Sequence, residues 1–110
     1  MVSLHQVTAE LFRALGNPVR IRVLELLRDG PQPVRYLLAD IAIDASRLSQ
    51  QLAILRGAGL VSTRRDGNTV QYSLSIIEVD VLLETAREVL AGLAAGQGEL
   101  LTELRVECAS

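Results

Sequence analysis

Apolar residues recur along this chain with two different periods, and the change from one to the other falls between residues 46 and 72. Leu48, Leu52 and Leu55 follow helical spacing, which gathers them on one packing face and leaves Ser46, Arg47, Ser49 and Gln50 on the sides and back of the same helix. Gly57 and Gly59 stop that helix. Leu60 to Arg65 and Thr69 to Leu74 then read as two strands joined by Asp66-Gly67-Asn68, a turn in which Gly and Asn tolerate positive φ. Upstream, Leu4, Val7, Leu11, Phe12 and Leu15 trace a first amphipathic helix ended by Gly16. Asn17 is a good N-cap and Pro18 suits a first helical turn, so Val19 to Arg28 is predicted as a second helix offering Ile21, Val23, Leu24 and Leu27 to the core. Asp29-Gly30-Pro31-Gln32-Pro33 ends it. Val34 to Asp40 makes a short helix and Asp44 or Ser46 caps the next, so residues 34–58 form a helix-turn-helix. After the hairpin, Ile77, Val81, Leu82, Val89, Leu90 and Leu93 mark a long helix from Ile76 to Leu93, with a break expected near Gly96 before Glu99 to Val106 resumes.

The polar face of the 46–58 helix carries short hydroxyls, amides and a guanidinium, groups that hydrogen-bond to base edges and phosphates, in place of the Glu and Lys that usually solvate an exposed helix. Arg64 and Arg65 sit near the hairpin tip. A helix of this composition beside a basic hairpin reads as a winged helix-turn-helix: mainly α with a small β-hairpin wing over residues 60–74, binding double-stranded DNA. Residues 1–110 are expected to form a single such domain, since this length allows one core and not two. The first and last helices, residues 1–16 and 76–107, hold more apolar surface than so small a core covers, which points to a homodimer built through them. Dimerisation would set two recognition helices about one helical turn apart on a pseudo-palindromic site.

Net charge is −2, which changes meaning once divided along the chain. Residues 1–75 hold nine Arg and six acids, a balance of +3, whereas residues 76–110 hold two Arg and seven acids, a balance of −5. One part can approach phosphate while the other repels it. All eleven basic residues are Arg, which suits bidentate phosphate and guanine contacts and is equally the mark of a GC-rich genome. No apolar run approaches the roughly 20 residues of a membrane span, and no basic segment followed by an apolar stretch opens the chain, so no membrane partner and a cytoplasmic location are expected. The single cysteine, Cys108, has no second thiol in the chain to pair with.

Leu15-Gly16-Asn17-Pro18-Val19-Arg20-Ile21-Arg22-Val23-Leu24, then Ser46-Arg47-Leu48-Ser49-Gln50-Gln51-Leu52 with Leu55, then Ala58-Gly59-Leu60-Val61 and Arg64-Arg65-Asp66-Gly67-Asn68 up to Tyr72 resemble the ArsR/SmtB bacterial repressors over about residues 8 to 90. The resemblance implies a homodimeric winged-helix repressor that leaves its operator when a metal ion or another signal binds. By analogy Ser46, Arg47, Ser49, Gln50 and Gln51 face the major groove, with Arg64, Arg65 and Asn68 on the wing. Gln51 stands where the family usually has His, an exchange that keeps a hydrogen-bonding side chain and removes a titratable one.

Departures from the family pattern bear on the signal. Where many family sensors have a Cys-rich metal motif, this chain has Val34-Arg35-Tyr36-Leu37-Leu38-Ala39-Asp40, without a thiolate. Where others place Asp and His ligands on the last long helix, it has Asp80 followed by Leu82, with Leu93 and Gly96 at the later ligand positions. The remaining metal candidate is His5, which in a dimer with carboxylates such as Glu10, or with Cys108, would suit nickel or zinc. Cys108 as a redox switch has only Arg105 to lower its pKa and Glu107 to oppose it. An alternative reading is a DNA-binding subunit or interaction module whose sensing belongs to a separate regulatory partner protein. With one His, one Cys, no glycine-rich phosphate loop and no paired acids, no catalytic constellation can be assembled, and the chain is read as no enzyme.

Overall fold

Helix boundaries in the computed structural model, which describes residues 2–95 and 105–107, follow the capping chemistry. Helix α1 (Leu4–Leu15) opens on a capping box: the Gln6 N–H donates to Ser3 Oγ at 3.2 Å and the Ser3 N–H donates to Gln6 Oε1 at 2.9 Å. Helix α2 (Pro18–Leu26) starts on Asn17, whose Oδ1 accepts the N–H groups of Val19 and Arg20 at 2.9 and 3.2 Å. Helix α4 (Ala45–Gly57) is capped by Asp44, not Ser46, through a 2.8 Å bond from the Arg47 N–H. Between α2 and α4 lies the short α3 (Val34–Asp40), and α5 (Glu78–Ala94) follows the sheet.

That sheet has three strands where the sequence pattern gives two. Strands β2 (Val61–Asp66) and β3 (Thr69–Leu74) form the expected antiparallel hairpin, and β1 (Gln32–Pro33) adds to the other side of β3, giving the order β1-β3-β2. Gln32 pairs with Tyr72 and Pro33 with Gln71. A proline ends a helix, yet it also pushes the preceding residue into extended backbone, and on an edge strand its missing N–H costs no ladder bond. The helix terminator thus becomes a strand. Within the hairpin Asp66 pairs with Thr69, leaving the two-residue loop Gly67-Asn68. Gly67 takes φ +63°, and no described non-glycine residue has positive φ, so the loop follows the type II′ pattern and Asn68 does not use the left-handed freedom open to it.

The chain divides into two compact units, Met1–Asp80 and Val81–Ser110. In the first, Val23, Leu24, Leu27, Leu37, Leu48, Leu52 and Leu55 are essentially inaccessible, so α2, α3 and α4 share one aliphatic core, closed by Leu60 and Val61 at the foot of the wing. Ile21, expected in that core, is only half-buried. Helix α1 buries Ala14 and Leu15 at its C-terminal end but leaves Leu4, Val7 and Phe12 exposed, at 78%, 50% and 54% of their surface. In the second unit, Val81, Val89, Leu90 and Leu93 of α5 are likewise exposed. Residues 105–107 are helical, while the break expected at Gly96 and most of the 99–106 segment lie outside the described residues. No described helix is long and apolar enough to cross a membrane.

Two ion pairs brace the first unit. Arg22 on α2 meets Asp40 at the end of α3 with two 2.8 Å bonds, and Arg28 meets Asp80 in the first turn of α5 at 2.8 Å. The Arg22 hydrogen bonds hold the Asp40 carboxyl below its ordinary pKa, and the same bonds raise that of Arg22. Because the folded-state value of Asp40 is the depressed one, its contribution to stability is complete above the ordinary carboxylate range and is lost as pH falls through the depressed value. NMR titration should therefore find Asp40 titrating below an ordinary aspartate, and Arg22→Gln should return it upward. An Asp40 midpoint unmoved by Arg22→Gln would mean that the pair does not form in solution.

Candidate nucleic-acid interface

Since Leu48, Leu52 and Leu55 are all turned inward, the side of α4 that remains in solvent is determined by its periodicity alone. Ser46, Arg47, Ser49 and Gln50 are exposed there, together with Ala53 and Arg56 farther along the helix. Gln51 lies at the border: it is half-buried, and its Oε1 accepts a 2.6 Å hydrogen bond from Nη1 of Arg20 on α2. The amide nitrogen of Gln51 is the group left for any other contact.

On the wing, Arg64, Arg65 and Asn68 are all exposed, but strand geometry separates the two arginines. Cross-strand partners share a face, so Thr63 and Tyr72, Arg65 and Val70 lie on one side of the hairpin, while Ser62 and Ser73, Arg64 and Gln71 lie on the other. The 3.3 Å contact between the hydroxyls of Ser62 and Ser73 confirms that second face. Tyr72 looks toward α4, where it joins Ser49, Leu52, Ala53, Arg56 and Gly57 in lining a crevice of about 420 Å³ between helix and wing. Arg65 belongs to the Tyr72 side of the wing and Arg64 to the opposite side, so the adjacent pair presents one charge on each face.

Arg56 and Tyr72 are the site residues that the sequence pattern left out. Arg56 stands seven residues beyond Ser49, which returns it to the same helical face, and Tyr72 pairs with Thr63. Both signals are present in the sequence once the period of each element is carried to its end.

Charge sharpens the picture. Arg20, Arg22 and Arg28 are engaged within the first unit, by carbonyls and Gln51 for Arg20 and by carboxylates for the other two. Of the remaining first-unit arginines, Arg13, Arg35, Arg47, Arg56, Arg64 and Arg65 make no ion pair among the described residues, and four of these six, Arg47, Arg56, Arg64 and Arg65, stand on α4 or the wing. Asp44 and Asp66 lie near them, but neither forms an ion pair with these four guanidiniums, whose charge is left for an external polyanion to neutralise.

His5 lies exposed on α1. Among the described residues no group of three or more His, Cys, Asp or Glu side chains stands close enough together to hold a metal ion. Cys108 lies outside the described residues. The described residues therefore do not by themselves supply a nickel or zinc ligand set, and no step is derived through a metal.

Comparison with known proteins places this geometry in a family. The family model described as bacterial regulatory protein, arsR family, matches residues 17–63. The chain is 44% identical over 103 residues to the uncharacterized HTH-type transcriptional regulator Rv0081 of Mycobacterium tuberculosis, covering 93% of this chain and 90% of that one. The crystal structure of Rv0081 superposes with a TM-score of 0.80 at 43% identity, over 88% of this chain and 98% of the other. A probable mercury resistance operon repressor from Streptomyces lividans is 35% identical over 88 residues, 80% of this chain and 70% of its own. The homodimeric winged helix-turn-helix DNA-binding domain of Mb0332 from Mycobacterium bovis matches with a TM-score of 0.69 at 28% identity, over 78% of this chain and 80% of that domain. These relatives are regulators and not enzymes. The α3–α4 pair, the three-stranded wing and a shared sequence that runs nearly the length of the Rv0081 chain agree: this chain belongs to the ArsR family of bacterial transcriptional regulators, with their winged helix-turn-helix DNA-binding fold.

Proposed function

We propose that the chain is a cytoplasmic transcriptional repressor that binds a pseudo-palindromic operator as a homodimer. Ser46, Arg47, Ser49 and Gln50 enter the major groove, and Arg64, Arg65 and Asn68 carry the wing to the neighbouring backbone or minor groove. Arg56 and Tyr72 border the same groove-facing surface. The observation that carries this reading is that Arg47, Arg56, Arg64 and Arg65, four of the six exposed first-unit arginines outside the ion pairs of the described residues, gather at the exposed side of α4 and on the wing, the other two being Arg13 and Arg35. Cations left unneutralised on a protein surface bind a polyanion by displacing its counterions. The homodimer is supported by the exposed Leu4, Val7 and Phe12 of α1 and by the homodimeric Mb0332 domain, and it gives two recognition helices the spacing of about 34 Å that one turn of B-DNA requires. Repression is supported by the repressor role of the Streptomyces lividans relative.

A nickel or zinc signal would need His5 from both protomers together with carboxylates. The test is operator affinity with each ion and with chelator: a shift on adding nickel or zinc that His5→Ala abolishes would place the signal there, and equal affinity in all conditions would remove metal from the mechanism.

A duplex selected by the protein from a randomised pool provides the probe, read by fluorescence anisotropy across a salt series. Arg47→Ala and Gln50→Ala should each weaken binding to the selected duplex by about 1 to 3 kcal/mol, the usual cost of a missing pairing with a base edge, with less effect on unrelated DNA. An equal weakening on all sequences would make these residues backbone contacts. Replacing Arg64 and Arg65 together by Ala removes two cations from each protomer, so the slope of log affinity against log salt should flatten by about 3 to 4. A slope like that of the unaltered protein would take the wing off the DNA.

A further inference from the structure

The guanidinium of Arg20 is shared among three elements. Its Nε donates to the carbonyl of Ala14 at 2.7 Å and its Nη2 to the carbonyl of Arg13 at 3.1 Å, both in the last turn of α1. Its Nη1 donates to Gln51 Oε1 at 2.6 Å, on a helix 31 positions later. The Arg20 backbone is held as well, by the Asn17 cap at the start of α2. A guanidinium is planar and its N–H directions are fixed, so three acceptors on two other helices determine its orientation and are themselves held in register by it. The end of α1 suits a cation, because the last carbonyls of a helix carry the negative pole of its dipole. No carboxylate is required.

Gln51 is the acceptor that brings α4 into this arrangement. It sits on the border of the seated face, three residues after Leu48 and four before Leu55, and it is half-buried, unlike the exposed Ser46, Arg47, Ser49 and Gln50. To turn its carboxamide oxygen toward a base it would have to leave Arg20 with an unpaired donor in a partly buried position, which costs more than an average exposed hydrogen bond returns.

We propose that Arg20 and Gln51 are a positioning pair: Gln51 serves DNA binding by fixing the recognition helix to the C-terminal end of α1 through Arg20, and it does not read a base. This rests on the DNA-binding reading above. Since α1 also carries the exposed Leu4, Val7 and Phe12 face, the pair makes the angle of the recognition helix depend on how that helix is held.

The test uses the full chain and the duplex it selects from a randomised pool. If the unaltered protein selects no duplex, the DNA-binding reading falls and the pair falls with it. If it does select one, Arg20→Met and Gln51→Met should each weaken binding about tenfold, and the double variant should be no weaker than either single one, because each substitution removes the same connection. Repeating the selection with Gln51→Met should return the same base preferences. Effects that multiply in the double variant, or a preference erased at one base pair, would overturn the proposal by making Gln51 a direct reader.

Should Arg20→Met compromise folding, Gln51→His gives a second measurement within one folded protein. A neutral imidazole can accept the Arg20 N–H, whereas a protonated one cannot, and it adds a charge beside Arg20 of α2 and Arg47 one turn back on α4. With an ordinary histidine pKa near 6.5, affinity of this variant should fall about tenfold from pH 8 to pH 5.5 relative to the unaltered protein. Affinity that rises on acidification would put position 51 against a phosphate, and affinity that stays level would leave it touching neither. Both results overturn the proposal.

Discussion

The burial of three leucines on one side of α4 governs everything the exposed surface can do. Leu48, Leu52 and Leu55 are 0%, 2% and 0% exposed, and each such side chain contributes about 1.5 to 3 kcal/mol by leaving water. Successive residues are separated by about 100° around a helix, so a slip of one position would carry the whole leucine set into solvent. Rotation of α4 is therefore fixed from inside the protein. Its polar face needs no contact among its own members to be held outward, and short side chains such as Ser46 and Ser49 stay available to a ligand.

Electrostatics follows from that seating. The acidic overall balance, with a sequence pI of about 5.3, describes a chain average that no ligand meets. At physiological salt a charge is felt over roughly 8 to 10 Å, so an ion at any point of the surface responds to its near neighbours and not to the chain average. Within the first unit the arginines divide by use. Arg20, Arg22 and Arg28 hold elements to one another, whereas Arg47, Arg56, Arg64 and Arg65 on α4 and the wing, like Arg13 and Arg35 elsewhere, make no ion pair among the described residues. Arginine serves both purposes because its charge persists at any physiological pH, and only the surroundings decide which purpose each one has.

Much of this was legible in the sequence, since helices α1, α2 and α4 are announced by caps and by apolar period. Asn17-Pro18 marks the second helix almost to the residue, and the Leu48, Leu52, Leu55 spacing identifies the seated face. What escaped was whatever depends on two distant segments. Gln32-Pro33 carries a strong local stop signal, and its strand exists only because Gln71 and Tyr72 offer an edge. Gln51 has the composition of a groove contact, and nothing local shows that Arg20 reaches it from another helix. Arg64 and Arg65 read as a basic pair until the strand period sends them to opposite faces.

The shortest element of the sheet sets how the wing can change. Strand β1 pairs with β3 only at Tyr72 and Gln71, so the hairpin is tied at its middle while its outer residues, from Arg65 to Val70, extend beyond any third strand. Each strand residue adds about 3.4 Å, and sway at the tip is larger than sway at the root. A wing anchored in this way behaves as a cantilever. Gly67-Asn68 lies at the free end of that cantilever, away from the aliphatic core, so a change of length there alters the reach of the wing while α4 stays where the leucines put it.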